Sequence, residues 1–225
     1  MSEIKTASLT LERELQSRGY RCIAGIDEAG RGAWAGPVSA GAVCLPLENP
    51  DLEQLLEGVY DSKQMTARER IRLIDQIKQV ACAWGVGRTE AEEIDAIGIV
   101  PASCLAMRRA LEQMMVQFPQ YTPDFLLIDL IKWQGLPERK VDYRAVVRGD
   151  SLSLSIAAAS VLAKVSRDGW MTEYDRDYPD YGFASHKGYG VARHQAALRE
   201  YGASPLHRMS YKPLAQLPLP FGEGE

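Results

Sequence analysis

Long apolar runs are missing from this chain. Stretches such as Phe125 to Ile128 and Ile156 to Ala159 fall far short of the roughly 20 residues that cross a bilayer, so no membrane span is expected. Met1 to Arg13 mixes Glu3, Lys5, Glu12 and Arg13 and lacks an apolar signal core, which predicts a cytoplasmic protein. Cysteine is sparse: Cys22, Cys44, Cys82 and Cys104 include no CxxC pair, which argues against a zinc knuckle or a disulfide framework and leaves buried, reduced thiols. There are three histidines. His194 and His207 have no partner at metal-ligand spacing and read as structural. A positive balance is also absent: 26 Lys and Arg stand against 30 Asp and Glu, a net charge of -4. The protein therefore does not coat nucleic acid or anionic lipid by bulk charge, although a local basic groove is still open to it. No GxxxxGK[ST] occurs, so a Walker-type nucleotide site is not expected. Gly30-x-Gly32-x-x-x-Gly36 misses the dinucleotide spacing by one and leads into a strand.

What remains is the profile of a soluble globular chain, 225 residues with 46% apolar and 25% charged, long enough for one generous domain with a small appendage. No internal repeat or low-complexity stretch interrupts it. Arg21 to Asp27 and Val38 to Leu45 read as an antiparallel strand pair around a Gly-rich turn, and Ala81 to Arg88 as a third strand. Thr66 with Glu69 forms a capping box that starts a helix to about Val80, with Leu73, Ile77 and Val80 on one face. Pro101 marks another helix start, continued by Leu105, Leu111 and Met115. Phe125 to Asp129 is a buried strand, and Val141 to Val147 a further strand. Leu154 to about Tyr174 is a helix with a closely packing small-residue face. Gly182 to Gly190 is a loop, Val191 to Tyr201 a helix, and Pro213 onward a Pro-rich tail. The order indicates an α/β fold with a mixed sheet. Ser185 to Pro213 carries Lys187, Arg193, Arg199, Arg208 and Lys212 against Glu200 alone, so an acidic protein has a basic C-terminal segment where a polyanion can lie.

The chemistry concentrates at element ends. Asp27 and Glu28 close an apolar strand and are followed at once by Ala29-Gly30-Arg31-Gly32. Adjacent strand residues face opposite ways, so both reach one site only where the strand breaks, which the glycines permit. Asp129 ends Phe-Leu-Leu-Ile-Asp, and Asp150 precedes the long helix. Strand ends and a helix start on one sheet edge are where α/β sites assemble. Oxygen ligands without a His or Cys cluster suit a hard divalent cation, Mg²⁺ or Mn²⁺, and disfavour zinc.

These residues carry a resemblance over nearly the whole chain. GIDEAGRG at Gly25 to Gly32 with AGPV at Ala35 to Val38, Asp61-Ser62-Lys63, GDSLSLSIAAASVLAK at Gly149 to Lys164, and YGFASHKGYG at Tyr181 to Gly190 resemble the ordered motifs of the type 2 ribonuclease H family, ribonuclease HII. The resemblance implies a ribonuclease H-like mixed five-stranded sheet with flanking helices and a helical C-terminal extension. It divides the chain into a catalytic domain over 1–176, a substrate-binding extension over 177–213 and a Pro-rich tail over 214–225. It further implies that Asp27, Glu28, Asp129 and Asp150 are the catalytic, metal-binding carboxylates. Leu130 stands where the family usually has Gly, which makes Asp124 and Asp142 the alternatives to Asp129. Ala33-Trp34 departs from the more usual Pro or Leu type pairing but removes no functional group. Gly30, Arg31 and Gly32 would contact the ribose 2′-hydroxyl through backbone, and Tyr189 would recognise the ribo-to-deoxyribo junction. Lys63, His186, Lys187 and Arg208 would contact phosphates, against the plainer reading of solvated surface residues. Trp34, Trp84, Trp133 and Trp170 read as packing residues, Trp84 as core.

The implied activity is cleavage of the RNA strand of RNA/DNA hybrids, and of ribonucleotides embedded in duplex DNA on their 5′ side. Two metal ions on the carboxylates would leave 3′-hydroxyl and 5′-phosphate ends. Such an enzyme must sense a 2′-hydroxyl, the handle that separates RNA from DNA. A DNA nuclease or strand-transferase of the same fold without ribose sensing is an alternative, as is a non-catalytic hybrid-binding module, the latter disfavoured by the four carboxylates. A monomer is expected. In the tail, Gln216, Leu217, Leu219 and Phe221 resemble the short peptides that dock on bacterial sliding clamps; the competing reading is that they pack back on the domain.

Overall fold

Five short runs of apolar and small residues form one sheet in the computed structural model, which describes residues 5–129 and 140–215. The strands are β1 (Ile23–Ala29), β2 (Val38–Cys44), β3 (Ala83–Thr89), β4 (Phe125–Asp129) and β5 (Asp142–Val146). Their order is β3-β2-β1-β4-β5. β2 runs antiparallel to both β1 and β3, whereas β1–β4 and β4–β5 are parallel. The expected antiparallel pair and mixed sheet are therefore present.

The helices follow the same order. Short helices α1 (Thr10–Ser17) and α2 (Leu52–Leu55) precede α3 (Ala67–Val80), which opens on the Thr66/Glu69 capping box. Ala81 still donates its N–H to Ile77, so β3 begins at Ala83, later than the composition suggested. α4 (Ala91–Ile97) ends on Gly98, whose φ of 83° only glycine adopts freely. From it α5 (Ile99–Gln117) departs, with Pro101 in its first turn, where a missing N–H costs nothing. After β5 come the single turn α6 (Gly149–Leu152) and the long α7 (Leu154–Asp177). α8 (Phe183–His186), α9 (Ala192–Tyr201) and α10 (Lys212–Ala215) complete the chain.

β2 is buried along its whole length because a helix covers each face. Ala40 and Ala42 pack with Ala106, Met107 and Ala110 of α5; Val43 packs with Ala158, Ala159 and Leu162 of α7. Small residues allow close approach. A Cβ on Gly41 would sit 2.3 Å from the Ala159 carbonyl oxygen, and one on Gly25 would sit 2.1 Å from the backbone of Ser155. This is the contact that the small-residue face of α7 was expected to make, and it fixes α7 against the strand ends that carry the acidic residues.

Three expectations need correction. The Gly182–Gly190 segment contains the turn α8, not an uninterrupted loop. The chain beyond Pro213 does not leave the body at once, since α10 buries Leu214 with Phe183, Ala197 and Leu198 in a small cluster that also takes in Ala35 and Met171. Trp84 is half-buried rather than core, with the Lys78 ammonium 4.5 Å above its ring. Leu130, Trp133 and the tail residues Gln216, Leu217, Leu219 and Phe221 lie outside the described residues.

Candidate active site

Three carboxylates converge at one edge of the sheet. β1 and β4 run parallel with Ile26 beside Ile128, so the next residues, Asp27 and Asp129, stand side by side where that pairing ends. Asp129 pairs with Val146 of β5. Beyond it the chain reverses through Arg148, held at a left-handed φ of 54°, and enters α6 with Asp150. One carboxylate oxygen from each of Asp27, Asp129 and Asp150 lies within 4.8 Å of the other two. The alternatives to Asp129 are elsewhere: Asp124 accepts the N–H groups of Arg21 and Cys22 at the start of β1, and Asp142 accepts the Tyr20 hydroxyl at the start of β5.

Electrostatically this cluster carries more negative charge than positive. Asp27 Oδ1 accepts the N–H of Glu28 at 2.7 Å, while its Oδ2 is buried with no hydrogen-bond partner among the described residues. Burial, followed by the charges of Glu28 and Asp129, pushes the Asp27 carboxyl well above the ordinary range. Asp150 is pushed up to about 6, first by burial and then by the charges of Asp61 and Asp129. Asp129 Oδ1 accepts the Gly149 N–H at 2.7 Å, which ties β4 to α6. The cation at hand is Lys63, whose Nζ lies 3.8 Å from Asp150 Oδ2. Burial alone would lower its pKa, but Asp27, Asp150, Asp61 and Asp129 together outweigh that and raise it. Three carboxylates this close, one of them with an orphaned oxygen, could hold a metal ion.

Glu28 stands beside the cluster rather than in it. Its Oε1 takes the Arg31 guanidinium at 3.3 Å, and its buried Oε2 is also without a partner. Burial is the main cause that raises its pKa, against the lowering charge of Arg31. It lines a cleft of about 330 Å³ together with Asp27, Asp129, Lys63, the Gly30-Arg31-Gly32 turn and Tyr189. The anticipated ribose-sensing groups therefore share one cleft with three of the four acidic residues. Asp150, with Asp61 and Arg148, lines an adjoining cleft that shares Lys63 and Asp129.

The structure treats the basic residues unequally. Lys63 is exposed at the cleft. His186 hydrogen-bonds Tyr181 O and the Gly188 N–H and stacks on His194 with centroids 4.5 Å apart, so its ring orders the loop that carries Tyr189. Lys187 donates to Asp168 O and Thr172 Oγ1. Arg208 requires correction, because it is fully buried and donates to Gly36 O, Arg31 O and the Tyr211 hydroxyl. A guanidinium enclosed in this way clamps the turn from behind and offers no surface to a phosphate. His194 and His207 are structural, as expected. His194 Nδ1 donates to Tyr189 O and its Nε2 faces His207 Nε2 at 2.9 Å, and burial lowers the pKa of each to about 4.

Sequence reasoning missed Arg167, Lys164 and Glu12. Arg167 and Lys164 sit on α7, the first buried beneath the Gly30 turn and the second lining the cleft while bonded to Asp168 at 2.6 Å. Glu12 is wholly buried and accepts from the Ser153 and Ser155 hydroxyls and the Ser155 N–H, fastening α1 to the start of α7 just beyond Asp150. Its position among exposed N-terminal charges gave no signal of burial.

Comparison with known proteins points the same way. The model of the family described as Ribonuclease HII matches residues 24–214. Ribonuclease HII of Roseiflexus castenholzii (strain DSM 13941 / HLO8) is 49% identical over 206 residues, 92% of this chain and 88% of that protein. Among solved structures, the PCNA:RNase HII complex from Archaeoglobus fulgidus is similar with a TM-score of 0.67 and 26% identity, covering 88% of this chain and 98% of that one. Bst-RNase HIII in complex with Mn²⁺ shares the fold with a TM-score of 0.67 at 17% identity, covering 86% of this chain and 68% of that one.

Proposed function

Since the chain belongs to the ribonuclease HII family of metal-dependent endonucleases, we propose that it cleaves the RNA strand of RNA/DNA hybrids and cuts 5′ to ribonucleotides embedded in duplex DNA, leaving 3′-hydroxyl and 5′-phosphate ends. The observation that carries this reading is the meeting of Asp27, Asp129 and Asp150 within 4.8 Å beside a cleft that also presents Gly30, Arg31, Gly32 and Tyr189. Mg²⁺ or Mn²⁺ fits the site, because its ligands are all oxygens and the Asp27 Oδ2 and Glu28 Oε2 atoms are buried without partners among the described residues. Bst-RNase HIII, of the same fold, was solved with Mn²⁺. Asp27, Asp129 and Asp150 would hold the metal, with Glu28 released from Arg31 as a further ligand. Bound there, a divalent ion supplies Lewis acidity, lowering the pKa of an attacking water and offsetting charge on the leaving oxygen.

The protein's own groups supply the rest. The Gly30-Arg31-Gly32 turn lines the cleft; its Gly30 and Arg31 carbonyls are taken within the protein, which leaves its backbone N–H groups and the exposed Gly32 to meet a 2′-hydroxyl. Tyr189 offers its ring to the adjoining sugar, and Lys63 and Lys187 bring positive charge for phosphates. One chain provides every group named, in keeping with a monomer, and a cytoplasmic location accords with the proposed substrate. Matched duplexes with and without a single ribonucleotide provide the test: cleavage should occur only at the ribonucleotide. Equal cutting of both would favour a DNA nuclease, and binding without cutting a recognition module.

Metal binding has a signature apart from activity. Folded-state pKa values above the ordinary carboxylate value, as for Asp27, Glu28 and Asp150, mean that the unfolded chain releases these protons at lower pH. Their contribution to stability is present in acid and lost as pH rises through the folded values. In chelator, the contribution of these groups should therefore make the protein more stable near pH 6 than near pH 8. At pH 8, Mg²⁺ at a hundred times its Kd should restore about 2.7 kcal/mol, and the gain should shrink below about pH 6, where Asp150 takes up its proton. Thermal melts with and without chelator check this; a Mg²⁺ effect independent of pH would separate metal binding from these carboxylates.

The tail carries a second partner. The Archaeoglobus fulgidus relative was solved in complex with PCNA, and Gln216, Leu217, Leu219 and Phe221 supply a Gln-Leu-x-Leu type peptide for a sliding clamp. Deleting Gln216 to Glu225 should spare cleavage of short oligonucleotides and weaken clamp binding. Unfolding of the deletion variant, or no clamp affinity in the isolated tail peptide at high micromolar concentration, would show instead that the tail packs on the body.

A further inference from the structure

Arg167 is the largest fully buried side chain, together with Arg208. It has no carboxylate within salt-bridge distance among the described residues. Its hydrogen bonds go instead to three main-chain carbonyls: Nε to Pro37 at 2.8 Å, Nη2 to Ala35 at 3.1 Å and Nη1 to Lys187 at 2.9 Å. Pro37 and Ala35 belong to the segment between β1 and β2 that begins with the Gly30-Arg31-Gly32 turn, whereas Lys187 lies two residues before Tyr189. One planar fork thus bridges the two loops that face each other across the cleft. The guanidinium also lies 5.6 Å from the centroid of the Tyr189 ring. It fills the space that Gly30 leaves open, since a Cβ there, at a φ of +94°, would fall 2.0 Å from Arg167 Nε.

Burying a guanidinium is costly unless its donors are satisfied. Here that cost is offset by carbonyls and a ring face that all belong to the ribose-facing loops. Tyr189 itself is 38% exposed; its backbone is held by His186, Val191 and His194, and the ring rests against Arg167. We propose that Arg167 is a positioning residue that locks the Gly30–Gly32 turn and the Tyr189 ring into one ribose-reading unit, so that selection of a lone ribonucleotide depends on a residue buried behind the cleft. The inference rests on the reading of Tyr189 and the turn as the groups that sense the ribonucleotide.

A double-mutant cycle on the full chain tests it, with kcat and KM measured on duplex DNA holding one ribonucleotide and on a continuous RNA/DNA hybrid. Arg167→Met keeps the bulk and removes the fork; Arg167→Lys keeps the charge but cannot reach all three carbonyls. Arg167→Met should lower kcat on the single-ribonucleotide duplex by roughly tenfold more than on the hybrid, with Arg167→Lys intermediate. Combined with Tyr189→Ala, it should add less than about twofold to the loss from Tyr189→Ala alone. Full additivity, or an equal loss on both substrates, would overturn the positioning role while leaving Tyr189 as a sensor. If Tyr189→Ala has no effect while the wild type cuts at the ribonucleotide, the sensing role and this inference fall together. Should Arg167→Met not fold, the Arg167→Lys cycle decides by the same criterion.

Discussion

Asp27→Asn is expected to abolish nearly all cleavage, a loss on the order of 10³-fold, equivalent to several kcal/mol of transition-state stabilisation, while nucleic-acid binding holds or strengthens. Asn preserves the volume and the acceptor for the Glu28 N–H, but removes a charge from a cluster that is already overloaded. Two readouts separate this from misfolding. Binding of a hybrid should not fall, because a negative charge has been removed from a cleft that must accept phosphate. In chelator at pH 8 the variant should also melt higher than the wild type, since the substitution mimics the protonated state that burial, Glu28 and Asp129 favour. Asp150→Asn should behave alike, because its carboxyl faces Asp61 and Asp129. Loss of binding in parallel with activity, with a lower melting temperature in chelator, would point to misfolding; full activity in a folded Asp27→Asn protein would refute the assignment of the cluster to metal binding.

The cluster was legible because its members stand at element ends that the sequence marks by itself. The apolar runs before Asp27 and Asp129 specify buried strands, and parallel pairing of Ile26 with Ile128 then places the two carboxylates side by side without further information. Asp150 could be placed less directly: its approach depends on the reversal at Arg148 and on the Gly149 N–H bond to Asp129, neither of which has a local sequence signal. Glu28 was grouped with the others by adjacency, and only the geometry shows it turned toward Arg31. The basic segment misled for a general reason. Charge counting predicts surface, and Arg208 is instead buried, as is Arg167 of α7 outside that segment, each donating to carbonyls of the segment between β1 and β2. A turn rich in glycine has many unsatisfied backbone acceptors, and a guanidinium is the side chain with enough donors to satisfy several at once.

Tyr189→Ala is expected to reduce cleavage at a single ribonucleotide in duplex DNA by about 5- to 150-fold, the range that stacking losses of roughly 1–3 kcal/mol imply, and to have a smaller effect on a continuous hybrid. On a hybrid every nucleotide carries a 2′-hydroxyl, so several registers are productive and a misaligned junction is forgiven. At a lone ribonucleotide one register alone places the scissile phosphate at Asp27 and Asp129, and the ring must fix it. Tyr189→Phe should keep most of the activity, because the ring face rather than the hydroxyl meets the Arg167 guanidinium and the same ring faces the cleft. Measuring kcat/KM for the three proteins on both substrates decides the matter. An equal loss on both substrates for Ala would make Tyr189 a general binding residue. A Phe variant as impaired as Ala would move the recognition from the ring to its hydroxyl.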